Sequence, residues 1–265
     1  MIPCSVIVPA WGETPFLERA LKSIAAQTYG AVEPVVAAPP ADGPQTLPAA
    51  RRAGLEKATG EWISFCDADD WMEPNAIAEM MDAARRESAD CVCCGFVRDD
   101  AHGTSVRKPF DREGPSDTYN AVVTKLFRRE LLADLVIDTS VTLGEDLMIT
   151  GQALRKARHI AVIDGAFYHY CENGASVTHV QNGRKRVEDL ARVGEILRET
   201  MSEAVYDDFH DRVTRDALLL WIRYRLFDRK LWRALRARMK GRLLADPRHG
   251  IIKKGALACA ACIFD

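Results

Sequence analysis

Two acidic groups in this sequence have the residue types and spacing to do chemistry. Asp67, Asp69 and Asp70 lie in "FCDADDW", directly after an apolar run, and Glu145 and Asp146 lie in "LGEDLMI". Clustered carboxylates repel one another unless a cation or hydrogen-bond donors hold them. Hard divalent cations take oxygen ligands and keep positions open for substrate phosphates, so a strand-end Asp-x-Asp suits a clamp on a metal-bound diphosphate. A plainer role is equally open by spacing alone: Asp69 or Asp70 caps a helix beginning at Pro74, since Asp and Pro are common at helix starts. Glu145 and Asp146 divide the same way, between chemistry and an acidic first turn favoured by the helix dipole.

Positioning these groups requires a sheet. Up to about Tyr170, apolar runs alternate with helical patterns: Cys4–Ala10, a helix over Pro15–Gln27, Val32–Ala38, a helix over Leu47–Thr59, Glu61–Asp67, a helix over Pro74–Glu87, and Asp90–Val97. That alternation predicts an α/β fold with a mostly parallel sheet, whose ligands sit at the carboxyl ends of the strands. Asp67 ends such a strand. Beyond about Gln181 the pattern turns to arginine-rich helices without strand signals, so the boundaries are drawn as a catalytic domain over 1–180 and a helical extension over 181–265.

Composition narrows the classes. The chain has 265 residues, 48% hydrophobic and 28% charged, which is ordinary for a globular protein, and a formal net charge of −2 gives no pull toward nucleic acid. "MIPCSVIVPA" lacks a basic n-region and reads as a first strand rather than a signal peptide. The eight cysteines read as reduced thiols of a cytoplasmic protein. "CVCC" at Cys91–Cys94 and "CAAC" at Cys259–Cys262 lie far apart, without the histidines a four-ligand zinc site would need.

Several ordered stretches together resemble the family 2 glycosyltransferases of GT-A fold: "CSVIVPAWGETPFLERALKSIAAQTY", "AARRAGLEKATGEWISFCDADDWMEPNAIAEM", "TKLFRRELL", "GEDLMITGQAL" and "FYHYCENGASVTH". They span about the first two thirds of the chain. The resemblance implies a Rossmann-like sheet, a nucleotide-diphosphate-sugar donor, and Mn²⁺ or Mg²⁺ as cofactor. It implies Asp67 toward ribose and diphosphate, Asp69 as metal ligand, Pro9, Trp11 and Arg51 on the donor side, and Asp146 as general base beside Glu145, which orients the acceptor. His169 is read either as a further metal ligand or as a structural residue beside aromatics. Lys125, in "YNAVVTKLFRRELL", either steadies an anionic group on the acceptor side or lies on the solvated face of an amphipathic helix.

There are departures from the family pattern. Where the family carries Asp-Asp-Gly-Ser after the second strand, this chain reads "VVAAPPADGPQTL"; Ala37 and Ala38 cannot hold a nucleotide base, and Asp42 with Gly43 reads as a displaced substitute or a turn. Arg52 replaces the family's Asn. The expected activity is an inverting, metal-dependent transfer of a sugar to a hydroxyl of a saccharide or lipid-linked saccharide, in surface polysaccharide or glycoconjugate synthesis. The alternative is a catalytically weak nucleotide-sugar-binding or scaffolding homologue. The apolar residues among the C-terminal arginines, Leu218 to Leu235, face either an anionic membrane surface or the catalytic domain. The first option places a cytoplasmic protein at the inner face of the cell membrane.

Overall fold

The computed structural model describes residues 1–100, 103–107, 120–172, 183–200, 203–239, 243–244 and 250–264, with residues 100, 107 and 203–212 described by backbone alone. The chain divides into two compact units, Met1–Ser140 with Glu145–Ser176, and Val141–Gly144 with Val177–Asp265.

In the first unit, strand β1 (Cys4–Pro9) is buried at every position, as expected of a strand covered on both faces. Helix α1 (Leu17–Ala25) returns the chain to β2 (Val32–Ala37), and α2 (Leu47–Lys57) carries it to β3 (Trp62–Phe65) on the other side of β1. Both β2 and β3 pair parallel with β1. Crossovers leaving in opposite directions make a topological switch point, and the crevice outside the carboxyl ends of β1 and β3 is where such sheets bind ligands. Gly54 lets α2 lie against β1: a Cβ there would stand 2.3 Å from Ile7 Cγ2. Arg51, one helical turn earlier, shares that inward face.

Beyond β3 come β4 (Trp71–Met72), α3 (Ala76–Glu87), β5 (Cys91–Asp100), β6 (Gly103–Arg107), β7 (Lys125–Arg128), α4 (Glu145–Lys156) and β8 (Ile160–Cys171). The sheet order is β2-β1-β3-β7-β5-β8-β4, with β6 a hairpin partner of β5. The sheet is mixed: β7 runs antiparallel between β3 and β5, β4 antiparallel to β8, and β6 antiparallel to β5. The basic run "KLFRRELL" is where the expected amphipathic helix gives way. It forms β7 between two 3₁₀ turns, Val122–Thr124 and Arg129–Leu132, with Lys125, Leu126 and Phe127 buried. A central strand needs no helical period, and tertiary burial overrides the weak helical pattern.

The second unit contains α5 (Gly183–Thr200), α6 (Glu203–Arg223), α7 (Arg229–Arg238) and α8 (Ile251–Phe264). Its core gathers Val187, Leu218, Trp221, Trp232, Leu235 and Leu257. The apolar residues expected at a membrane or against the catalytic domain therefore pack on one another. Ile251 and Ile252, at the start of α8, remain 91% and 88% exposed. No described helix is long and apolar enough to cross a membrane.

Candidate active site

The site forms around a single guanidinium. Arg51 is 1% exposed. Its Nη2 donates to Asp67 Oδ1 at 3.0 Å, and its Nη1 donates to Asp146 Oδ1 and, at 3.3 Å, to Glu145 Oε1. Asp67 follows β3; Glu145 and Asp146 open α4, so their carboxylates also lie in that helix's first turn. The two acidic groups, distant in sequence, are thus one cluster of three carboxylates against one cation. Burial, then the neighbouring Asp146 charge, pushes the Glu145 carboxyl up to about 7, and burial also raises Asp67 despite the opposing pull of Arg51. The Arg51 guanidinium is held still more firmly protonated by the carboxylates around it. Its Nε is buried without a hydrogen-bond partner among the described residues.

Asp146 is oriented from both sides. Its Oδ2 accepts from the Val122 backbone N–H at 3.3 Å. Lys125 holds that turn: its Nζ donates to Ala121 O at 2.8 Å and to Thr124 Oγ1 at 3.3 Å, while Thr150 Oγ1 donates to Asn120 O at 3.1 Å. Lys125, 1% exposed, is therefore a buried support behind the site rather than a cation on a solvated face.

The acidic loop does not cap α3. The N-cap of that helix is Asn75, and Asp70, 1% exposed, is bonded elsewhere. Its Oδ1 accepts from Cys171 N–H at 2.8 Å and its Oδ2 from the Tyr168 hydroxyl. Burial and the neighbouring Asp67 charge push the Asp70 carboxyl up to about 8. Asp69 is half-buried in the same loop. Helix α1 and the turn after it brace this segment with residues spaced four apart. Arg19 donates to Asp69 O, Ser23 Oγ accepts from Met72 N–H at 3.2 Å, and Gln27 bonds Glu73 O at 2.7 Å and Ile77 N–H at 3.0 Å. Sequence reasoning missed this ladder, although the i, i+4, i+8 spacing was visible from Arg19 to Gln27.

His169, read in the sequence either as a metal ligand or as a structural residue, stands between two carboxylates. Its Nε2 faces Glu73 Oε1 at 2.8 Å and its Nδ1 faces Asp99 Oδ2 at 3.4 Å, while the ring stacks on Trp71 with centroids 3.5 Å apart. Both ring nitrogens are thereby engaged. Pro9 ends β1, and Trp11 lies half-buried in the loop after it, beside Gly12 at φ +66°. The expected closing loop, 173–179, lies outside the described residues.

A hard divalent cation fits this donor set, which offers oxygen ligands in excess of positive charge. No three His, Cys, Asp or Glu side chains among the described residues converge into a closed cage. An ion such as Mg²⁺ is held in that manner, by one or two carboxylates with substrate phosphates and water completing its shell.

The Glycosyl transferase family 2 model matches residues 42–139, from the loop before α2 past β7. The uncharacterized glycosyltransferase EpsJ of Bacillus subtilis is 26% identical over 227 residues, covering 68% of this chain and 64% of that protein; the chain therefore spans less than two thirds of that relative's length. Among solved structures, S. aureus TarS 1-349 in complex with UDP-GlcNAc superposes with a TM-score of 0.67 at 16% identity, covering 89% of this chain and 88% of that one. The mannosyltransferase PcManGT from Pyrobaculum calidifontis, in complex with GDP-Man and Mn²⁺, superposes with a TM-score of 0.56 at 17% identity, covering 99% and 80%. With the switch-point crevice, these matches define an α/β protein of the GT-A fold. Over residues 42–139 the chain is similar to glycosyltransferase family 2.

Proposed function

We propose that the chain is an inverting, metal-dependent glycosyltransferase that moves a sugar from a nucleotide-diphosphate donor to a hydroxyl of a saccharide or lipid-linked acceptor. One observation carries this reading: Arg51 joins the strand-end Asp67 to the Glu145–Asp146 pair. A donor-side carboxylate and a candidate base thus flank one crevice.

The donor lies across the ends of β1 and β3, its base against Trp11 and Pro9 and its ribose toward Asp67. Asp69, with Asp67 beside it, would hold the divalent cation. When bound, that cation neutralises charge on the leaving diphosphate. Asp146, fixed by Val122 N–H, removes the acceptor's hydroxyl proton as the acceptor oxygen bonds to the anomeric carbon. The bond from that carbon to the diphosphate breaks on the opposite face, so the configuration inverts. Glu145 orients the acceptor. The catalytically weak binding homologue is less well supported, because both acidic groups are present around an intact Arg51.

A role in surface polysaccharide or glycoconjugate synthesis follows family habit. Peripheral membrane contact at the inner face of the cell membrane is supported only by Ile251 and Ile252 beside Lys253 and Lys254, a small apolar tip next to cations suited to anionic lipid.

A panel of nucleotide-sugars screened for thermal stabilisation, with Mn²⁺ or with EDTA, tests the donor and the metal together. A ligand bound only by the native chain raises its melting temperature. The reading expects stabilisation by at least one nucleotide-sugar that is larger with Mn²⁺; no stabilisation by any member refutes it.

A further inference from the structure

The geometry points to Tyr168 and Asp70 as a positioning pair that sets the orientation of the Asp67–Asp69 loop, and through it the loop's hold on a metal-bound nucleoside diphosphate. This inference rests on the glycosyltransferase reading above and assigns work to two residues which that reading leaves without a role.

The loop is a tight turn: Asp70 N–H donates to Asp67 O at 3.1 Å, the i to i+3 bond of a β-turn. Both ends of the turn are tied to one hydroxyl on β8. Tyr168 Oη accepts from Asp67 N–H at 3.1 Å and donates to Asp70 Oδ2. Asp70 Oδ1 takes a second bond from β8, the Cys171 N–H. Tyr168 itself is 1% exposed within the main core, so its ring is fixed by packing. The phenol thus holds the peptide entering Asp67 and the carboxylate at the far end of the turn. Asp69 lies between those two anchored points, with its carbonyl held by Arg19 from the side of α1.

A four-residue turn clamped at both ends to a core strand has little freedom to re-aim its middle residue. Removing the hydroxyl leaves the Asp67 N–H without its acceptor and leaves Asp70 with Cys171 alone. The turn then relaxes, and the carboxylate at Asp69 is misplaced by the small distances that matter for a metal-bridged ligand. The Asp67 carboxylate stays held by Arg51 Nη2 at 3.0 Å, and the pocket around Trp11 and β1 lies outside this bonded network, so the ribose and base contacts keep their shape. The pair therefore governs the metal-dependent part of donor affinity and leaves the metal-independent part alone. A general packing defect would weaken both parts.

The test is calorimetric titration of the full chain with UDP and with GDP, each in Mn²⁺ and in EDTA, for wild type, Tyr168→Phe and Asp70→Asn. For whichever nucleotide the wild type binds, Mn²⁺ is expected to tighten binding. In Tyr168→Phe that gain should shrink at least tenfold while the Kd in EDTA stays within twofold. Asp70→Asn keeps the side chain's size but disturbs the same bond to the phenol, so it should shift the gain in the same direction and supplies the reading if the Phe variant fails to fold. An undiminished Mn²⁺ gain in a folded variant, or equal losses in Mn²⁺ and EDTA, overturns the pair's role. Wild-type binding without any metal gain overturns this inference while leaving nucleotide binding intact. Failure of the wild type to bind either nucleotide overturns it together with the proposed function.

Discussion

The crevice of the sheet unit and the core of the helical unit bury different kinds of residue. In the sheet unit Arg51, Asp70 and Lys125 are each 1% exposed, whereas the helical unit's largest buried side chains are Trp221 and Trp232, at 1% and 0%. Burying charge is costly unless it is paired and bonded, and every charged group at the crevice has such partners. Burying the carbon surface of indole rings is favourable by about 25 cal/mol per Å², offset in part at Trp221, whose Nε1 is buried without a hydrogen-bond partner among the described residues. The difference teaches what constrains the sequence at each place: the geometry of charges at the crevice, and volume and shape in the helical core.

The sharpest way to break that contrast is to alter a crevice charge without altering its shape. Asp146→Asn is nearly isosteric but cannot take up a proton, so turnover should fall by roughly 10²–10⁴-fold. Donor affinity should stay near wild type, because the amide oxygen still accepts from Val122. Rate and binding measured in parallel decide the matter. A variant that keeps most of its turnover removes Asp146 from the role of base.

In the helical unit the corresponding change is one of volume. Trp232 packs against Trp221, with ring centroids 5.0 Å apart, and against Phe264 at 6.1 Å. Trp232→Ala should destabilise that unit by about 3–5 kcal/mol, measured by denaturant unfolding followed through the remaining tryptophans. A loss below about 1 kcal/mol, far short of that range for large core truncations, would mean that the helical core is loosely packed.

These regions also differ in how readily they could be read from the residues. The parallel β2-β1-β3 core was legible because fully buried strands are continuous apolar runs, as in "CSVIVP", and because Gly, Pro and charged helices punctuate them. Both acidic groups were legible as groups. Their union through Arg51 was not, since a buried guanidinium in "AARRAG" looks like any arginine on a solvated helix until α2 is laid on β1. Lys125 misled for the opposite reason: its basic neighbours Arg128 and Arg129 suggested a solvated face, whereas its place in the central strand β7 and a bond to Ala121 O bury it. The Val122 donor has no side-chain signal at all. In the C-terminal helices the Leu and Trp stripe was visible, but a stripe does not name its partner. Here the partner is the other helices.

The contrast can be sharpened by titration. The Glu145 carboxyl, ordinarily at 4.5, is pushed up to about 7 by burial and by Asp146. Between these values the folded chain binds more protons at this site than the unfolded chain does. Stability therefore falls as pH rises through the window, and this contribution is complete below 4.5 and gone above about 7. Glu145→Gln removes the term. In EDTA, denaturant unfolding should show wild type losing stability relative to the variant from pH 4.5 to 7, with a flat difference above. A difference independent of pH across that window would show that Arg51 keeps Glu145 ionised throughout.

The smallest expected effect lies at the outer wall of the proposed donor pocket, where the proposed reading puts an aromatic surface instead of charge. β2 ends at Ala37, and the loop after it offers only the exposed Asp42 where a base-holding carboxylate was expected. Neither Ala37 nor Ala38 has a side chain that can bond a nucleobase edge. In the proposed reading, base recognition is then left to backbone groups and to stacking on Trp11, which is half-buried at the mouth of β1. Stacking is indifferent to the pattern of donors and acceptors on the base edge, so UDP, GDP and ADP should compete for the site within about one order of magnitude, a spread of ~1.4 kcal/mol. Trp11→Ala should weaken all of them alike, by ~0.5–1.5 kcal/mol. Competition titrations of the three diphosphates against wild type and variant measure both effects. A steep preference for one base that survives the Trp11 change would mean that a bonded group, such as Asp42, has taken over the recognition lost at the end of β2.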